Sequence, residues 1–298
     1  MKKLLVILNP CAGTKRAGRV LASILDIFCA AGFEPILRTT QGRGDATRLT
    51  AEYAGTVDRI VCIGGDGTFN EVVTGALQSG VTPLLGYIPA GSTNDFAVSL
   101  GLSRNLLQAA RDIVIGTPEE FDVGRFGDRY FTYVASFGAF TRASYATSQR
   151  TKNAIGHLAY LLSAAASIPS IRSLHVAMTT DAEERIEGDY LFGAVGNSTS
   201  MGGVLRLDQQ LVDMQDGLFE LLLVKKPANA VDLGECVRAL LAKDYRSRML
   251  EVRHLRSLSV ETRGGLDWTL DGEHAHGGER VSLEVLPRAM RLLVPKSK

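Results

Sequence analysis

Cysteine is scarce. The 298 residues hold four, Cys11, Cys29, Cys62 and Cys236, and no two form a Cys-x-x-Cys pair. That excludes a disulfide framework or a zinc ribbon and fits small hydrophobes in a reducing compartment. Long apolar runs are also missing. No stretch approaches the roughly 18 residues that a spanning helix needs, so any membrane role is peripheral. The N-terminal run Leu4 to Leu8 stops at Asn9-Pro10, too short for a signal-peptide core, and reads as a buried first strand. Excess charge is absent: the formal net charge is +1, which leaves no global attraction for polyanions and, with no motif for it, argues against nucleic acid as a partner. The Gly-x-x-x-x-Gly-Lys-Ser/Thr loop of Walker-type NTPases does not occur, nor does the Gly-rich loop and His-Arg-Asp set of protein kinases. What remains is ordinary for a folded protein, 45% hydrophobic and 22% charged, with length enough for two domains.

The first half alternates short apolar runs with helical patterns. Leu4–Leu8, Glu34–Thr39, Ile60–Ile63 and Leu84–Ile88 read as strands. Helices are expected over Val20–Phe28, from an N-cap at Asp45 to Tyr53, from Phe69 to about Gln78, and over Leu106–Ile115. This order predicts an α/β fold: an N-terminal three-layer α/β domain with a mostly parallel sheet, covered by helices on both faces. Ligands of such sheets sit at the carboxyl ends of the strands, where the Gly-rich loops of this chain gather.

In Gly64-Gly65-Asp66-Gly67-Thr68-Phe69-Asn70-Glu71, three glycines let backbone N–H groups approach a phosphate. Thr68 can cap the helix that follows, whose N-terminus carries partial positive charge. A carboxylate at Asp66 among phosphate-binding amides calls for a magnesium ion between the two. The same residues also make an ordinary turn. Asp95 is a second acid for a magnesium network, or an Asx-type cap before Phe96.

Gly64-Gly65-Asp66-Gly67-Thr68-x-Asn70-Glu71-Val72 resembles the signature of the diacylglycerol kinase catalytic domain family, shared with sphingosine and ceramide kinases. Asn9-Pro10-x-x-Gly13 is similar to the first loop of that family, and Pro89-Ala90-Gly91-Ser92-Thr93-Asn94-Asp95-Phe96-Ala97 to its third. The resemblance implies ATP and Mg²⁺, with Asn9, Pro10, Gly13, Thr40, Gly64, Gly65, Asp66, Gly67, Thr68, Asn70, Glu71 and Thr93 around the nucleotide. Asn70 and Glu71 are neighbours at a helix start, so only one points at the ligand and the other fixes the loop.

Beyond about Phe121 short alternating runs appear: Tyr130–Ala135, Leu174–Thr179, Phe219–Val224 and Ser257–Glu261. Helical patterns interrupt them at Gly156–Ser167 and Ala228–Ala242. Two domains are expected, a nucleotide-binding catalytic domain over 1–122 and a β-rich one over 123–286; the resemblance implies that the second is a lid and lipid-binding domain and that a strand over 287–298 returns to the first domain. The resemblance implies that the second domain is sandwich-like. It also implies a structural magnesium held by Asp213, Asp216 and the carbonyl of Leu218, although Gln215 departs from the family's paired Asp-Asp-Gly. It further implies that one carboxylate of Asp271-Gly272-Glu273 takes the acceptor's proton; Asp271 and Glu273 are both candidates, with Glu273 placed ahead, and Asp-Gly alone reads as a hairpin turn. His274-x-His276 lacks a third metal ligand and reads as surface loop.

From Arg129 to Thr180 there is no Asp or Glu, while Arg129, Arg142, Arg150, Lys152 and Arg172 are present beside the apolar Leu158–Leu162. The segment suits an anionic membrane face or a buried helix with solvated arginines. The function expected is an ATP-dependent lipid kinase acting on a diacylglycerol-like hydroxyl at the membrane, cytoplasmic and peripheral at its inner face. The alternatives are a NAD kinase-like enzyme, which shares the Gly-Gly-Asp-Gly turn, and a silent nucleotide- or lipid-binding module. A homodimer is what the commonness of two-fold symmetry favours.

Overall fold

The computed structural model describes residues 1–138, 173–198, 200–201, 205–206 and 212–296. They divide into two compact units, Met1–Asp122 with Arg288–Lys298, and Val123–Pro287. The expected helix at Gly156–Ser167 and the basic residues Arg142, Arg150, Lys152 and Arg172 lie outside the described residues.

The first unit runs β1 (Lys2–Leu8), α1 (Arg16–Ala30), β2 (Phe33–Thr39), α2 (Asp45–Tyr53), β3 (Arg59–Gly64), α3 (Asp66–Gln78), β4 (Leu84–Pro89), α4 (Asp95–Ser99) and α5 (Leu106–Ile115). The strands pair in parallel in the order β4-β3-β1-β2. The end of a later strand joins this edge, with Arg291 and Leu292 opposite Leu84 and Leu85. Leu4 to Leu8 are all buried because both faces of β1 are covered. Leu4, Val6 and Leu8 pack on Ala17, Ile24 and Phe28 of α1 and on Ala109, Ala110 and Ile113 of α5. Leu5 and Ile7, one residue out of phase, face the other layer. There α2 and α3 cross so closely at Gly75 that a Cβ would lie 2.3 Å from the Thr47 carbonyl oxygen.

Because β2 lies on one side of β1 and β3 on the other, the strand order reverses between β1 and β3. Ligands of doubly wound sheets bind beside the loops that leave the carboxyl ends of two such strands.

Several boundaries differ from expectation, each for a local reason. Asp45 is the first helical residue, not the N-cap; Gly44 holds that place at φ 84°, and the Asp45 carboxylate instead accepts the N–H groups of Gln41 and Gly42 at 2.7 and 3.1 Å. α3 begins at Asp66, three residues before the apolar pattern does, so Gly65 is its N-cap and Thr68 sits inside the first turn rather than capping it. Asp95 likewise starts α4, and Asn94 at φ 54° precedes it, so Asp95 is not an Asx-type cap.

The second unit is almost entirely antiparallel. The chain enters it along β5 (Thr117–Phe126) and continues through β6 (Arg129–Phe131), β7 (Val134–Gly138), β8 (Leu174–Thr180) and β9 (Arg185–Gly196). The short β10 (Ser200–Met201) and β11 (Leu205–Arg206) pair with each other. Then come β12 (Phe219–Lys225), α6 (Ala230–Ala242), β13 (Leu250–Leu255), β14 (Ser257–Glu261), β15 (Asp267–Leu270), β16 (Glu273–His276) and β17 (Arg280–Val294), whose last residues are those beside β4. The order is β16-β15-β7-β9-β8-β14-β17, with β12 between β9 and β13.

Within a largely aliphatic core, Trp268 is fully buried and meets Phe137 and Phe126 edge-on, with centroids 4.8 and 5.2 Å apart. The expected strand Tyr130–Ala135 is two strands, broken at Thr132-Tyr133, where the backbone turns its N–H groups toward Asp271. α6 starts two residues later than expected because the Asn229 side chain caps it, accepting the Asp232 N–H at 2.9 Å. Among the described residues no helix is long and apolar enough to cross a membrane.

Candidate functional site

The loops after β1, β3 and β4 meet at the carboxyl edge of the parallel sheet. Asn9 ends β1, and its side-chain amide donates to Thr68 Oγ1 at 2.9 Å. Its Oδ1 accepts the Cys11 N–H at 2.9 Å, and its own N–H donates to the Ile63 carbonyl. Asn9 therefore pins the first loop to the start of α3. The Ala90 N–H donates to the Gly64 carbonyl at 2.7 Å, which joins the third loop to the second.

Glycine is required where these loops touch. A Cβ on Gly13, at φ 51°, would fall 2.4 Å from the Ala90 oxygen. A Cβ on Gly91 would fall 2.6 Å from the Gly65 Cα. Backbone lies on backbone, and only hydrogen fits between.

Asp66 stands in this junction at the first turn of α3, buried to 7% exposure. Its Oδ2 accepts the Asp95 N–H at 2.9 Å, and its Oδ1 lies 3.4 Å from the Tyr87 hydroxyl. A carboxylate at a helix N-terminus is favoured by the helix dipole. Hard oxygen donors there suit a magnesium ion and, through it, a polyphosphate. Asp95 is half-buried at the start of α4 and brings a second carboxylate to the same loop pair.

Other expected residues are placed differently. Glu71 turns away, and its carboxylate accepts the Gly44 and Ala46 N–H groups at 2.8 and 3.1 Å, so it fastens the N-terminus of α2. Thr40 is buried, with its N–H on the Leu8 carbonyl at 3.0 Å. Pro10 and Thr93 are exposed, while Gly67 and Asn70 are half-buried in the first turns of α3. Asn94 was not singled out by the sequence. It is buried, with Oδ1 accepting the Gly91 N–H and Nδ2 donating to the Gly91 carbonyl, both at 2.9 Å.

In the second unit, Asp271 and Gly272 form the two-residue turn between β15 and β16, with φ 49° and 87°. The Asp271 side chain is 5% exposed and points inward. Its carboxylate accepts the Thr132 N–H and hydroxyl at 2.6 and 2.8 Å and the Tyr133 and Val134 N–H groups at 3.0 Å. Burial pushes this carboxyl above the usual range, and the hydrogen bonds oppose that shift. Such a group organises backbone. Glu273, half-buried at the start of β16, is the more accessible carboxylate of the pair.

Asp213 and Asp216 are exposed, and each closes a small turn by accepting an N–H two residues on, from Gln215 at 3.0 Å and Leu218 at 2.9 Å. His274 and His276 lie on strand β16, not in a loop. Both face Asp267 Oδ1, at 3.2 and 3.4 Å, and hydrogen bonds from His276 and His274 hold the Asp267 carboxyl below its usual range. Among the described residues no cluster of three or more His, Cys, Asp or Glu is placed to hold a metal ion.

Residues 3–126 match the model of the diacylglycerol kinase catalytic domain, and residues 134–294 match that of the YegS C-terminal NAD kinase beta sandwich-like domain. The chain is 32% identical over 302 residues to a diacylglycerol kinase of Bacillus subtilis (strain 168), covering 100% of this chain and 98% of that one. It is 30% identical over 279 residues to a diacylglycerol kinase of Staphylococcus saprophyticus, covering 93% and 90%. The crystal structure of a diacylglycerol kinase from Bacillus anthracis str. Sterne is similar with a TM-score of 0.75 at 25% identity, over 99% of this chain and 97% of that one. A second crystal structure from the same organism gives a TM-score of 0.81 over 99% and 96%, also at 25% identity. With its signature loops at the sheet edge and relatives matched over nearly their whole length, this chain belongs to the diacylglycerol kinase family.

Proposed function

We propose that this protein moves the γ-phosphoryl group of ATP to the hydroxyl of a diacylglycerol-like lipid at a membrane surface, giving phosphatidic acid and ADP. The observation that carries the reading is the junction of the loops after β1, β3 and β4 around Asp66. Backbone N–H groups, a helix N-terminus and a buried carboxylate come together there. The names of the full-length relatives supply the substrate class.

In the reaction the lipid oxygen bonds to the γ-phosphorus, the bond from that phosphorus to the bridging oxygen breaks, and ADP leaves. Asn9, Gly13, Gly64, Gly65, Gly67 and Thr68 hold the phosphate chain, with Thr40, Asn70 and Thr93 around the rest of the nucleotide. Asp66 and Asp95 would hold Mg²⁺, whose charge when bound offsets that of the phosphates. Glu273 takes the lipid hydroxyl's proton, and Asp271 fixes the turn that carries it. Asp213, Asp216 and the Leu218 carbonyl would hold a second, structural Mg²⁺, since each carboxylate keeps one oxygen outside its turn hydrogen bond. Binding to the membrane is peripheral and draws on Arg150 and Lys152.

The test is a radiolabelled ATP assay with Mg²⁺ on mixed micelles of diacylglycerol, phosphatidylglycerol, ceramide and a sphingoid base, run with wild type, Asp66→Ala and Glu273→Ala. Labelled phosphatidic acid from wild type alone is expected. A different labelled lipid would replace the acceptor. No labelled lipid from any of them would overturn the reading, with NAD as the next acceptor to try.

A further inference from the structure

We infer that Tyr87 is a positioning residue for Asp66: its buried hydroxyl holds the carboxylate of the loop after β3 and ties it to the loop after β4. The inference rests on the reading of Asp66 as the nucleotide-side carboxylate. Tyr87 lies on β4 and is 2% exposed. A buried parallel strand is served by aliphatic side chains, so the hydroxyl is what this residue adds. It stands 3.4 Å from Asp66 Oδ1 and 3.4 Å from Asn94 Oδ1, with one proton to give. The Asp95 N–H holds the other Asp66 oxygen at 2.9 Å, so the carboxylate is gripped from both sides. Asn94 Oδ1 also takes the Gly91 N–H, so the hydroxyl reaches the loop whose glycine abuts Gly65.

The ring is packed in this position. It stacks on Phe69 with centroids 4.4 Å apart and planes 18° from parallel, and Phe69 stacks in turn on Phe96 at 5.3 Å. Both neighbours of the hydroxyl are acceptor oxygens, a carboxylate and an amide carbonyl, so it acts as a donor. A free carboxylate samples several rotamers, whereas one held at both oxygens presents a single geometry to a metal and a phosphate, and that preorganisation is what phosphoryl transfer draws on.

Tyr87→Phe removes only the hydroxyl and keeps the stack. In the ligand-free variant, exchange of the Asp95 amide hydrogen should speed up about tenfold, as when a hydrogen bond to a charged group is lost. The Cys62 amide in the core serves as the internal reference. Asp66→Ala should speed the Asp95 amide as well, and adding Tyr87→Phe to it should add nothing. Phe69→Leu loosens the stack but keeps the hydroxyl, and it should leave that amide slow. In turnover, kcat should fall about tenfold with the KM for the lipid unchanged. An unaltered Asp95 amide in Tyr87→Phe, additive effects with Asp66→Ala, or equal acceleration in Phe69→Leu would each overturn the inference. If wild type phosphorylates no lipid, the proposed function fails, and the Asp95 amide still decides the role of Tyr87.

Discussion

Asp271→Asn separates an anchoring carboxylate from a reacting one. In the native turn four donors converge on Asp271: the Thr132 N–H and hydroxyl on Oδ2, the Tyr133 and Val134 N–H groups on Oδ1. An asparagine has one accepting oxygen. Its better orientation leaves the oxygen to Tyr133 and Val134 and turns the amide to the Thr132 hydroxyl, which can accept. The Thr132 N–H is then orphaned in a buried place, and the remaining bonds lose their charge assistance. Together these losses cost about 2–3 kcal/mol. For a domain of this size that lowers the melting temperature by about 5–10 °C. Positive φ is tolerated by asparagine, so backbone strain adds little. The assay is a thermal melt followed by circular dichroism at neutral pH, paired with initial rates at a temperature where both proteins are folded. Glu273→Gln is the counterpart: it keeps the size and hydrogen-bonding capacity of a half-buried side chain, so it should melt close to wild type while kcat falls at least about 100-fold. An Asp271→Asn protein that melts like wild type but is inactive would refute the division of roles and make Asp271 the reacting group.

Gly91→Ala places a methyl group 2.6 Å from the Gly65 Cα and 2.7 Å from Asn94 Oδ1. Separating the two loops costs about 1–3 kcal/mol, so ATP affinity by calorimetry should fall at least about tenfold, and undiminished binding would show that the loop junction is not the nucleotide cradle. Burial pushes the Cys236 thiol up to about 11 and that of Cys62 higher still, whereas Cys11 and Cys29 are exposed. A thiol reagent at pH 8 should therefore label Cys11 and Cys29 at once and the other two only after denaturation; rapid labelling of Cys62 or Cys236 would contradict their placement. Mg²⁺ should raise the melting temperature of wild type, and Asp213→Ala with Asp216→Ala should remove the part of that rise owed to the structural ion. An identical Mg²⁺ response in the double variant would dismiss metal binding at that turn.

The parts of the fold set by local pattern were readable in the sequence, and those set by distant partners were not. Leu4–Leu8 and Ile60–Ile63 are continuous apolar runs because both faces of the parallel sheet are covered, and that pattern survives in one dimension. The starts of α2 and α3 differ from expectation because capping preference assigns Asp and Thr to helix ends. Here the side chains of Asp45, Thr68 and Asp66 answer to groups outside their own first turns. Thr68 meets Asn9, 59 residues away, and Glu71 reaches back to Gly44, 27 residues away. Tyr87 and Asn94 show the same gap from the other side. Nothing in Leu-Leu-Gly-Tyr-Ile-Pro marks a tyrosine as polar machinery, because its acceptors lie on two loops that the sheet alone brings together.

The Asp-Gly-Glu segment suits both a hairpin turn and a reacting carboxylate for the same reason. Asp271 and Gly272 take the positive φ values that a two-residue turn demands, and Glu273 is the first residue of the strand that follows. The turn is the device that brings Glu273 to a defined strand position, and Asp271 locks the turn by gripping the backbone between β6 and β7, nearly 140 residues earlier. A carboxylate in a tight turn is thus evidence neither for nor against chemistry until its hydrogen bonds are counted. With its oxygens filled by backbone donors, Asp271 shapes the turn, and of the two carboxylates Glu273 is the less enclosed.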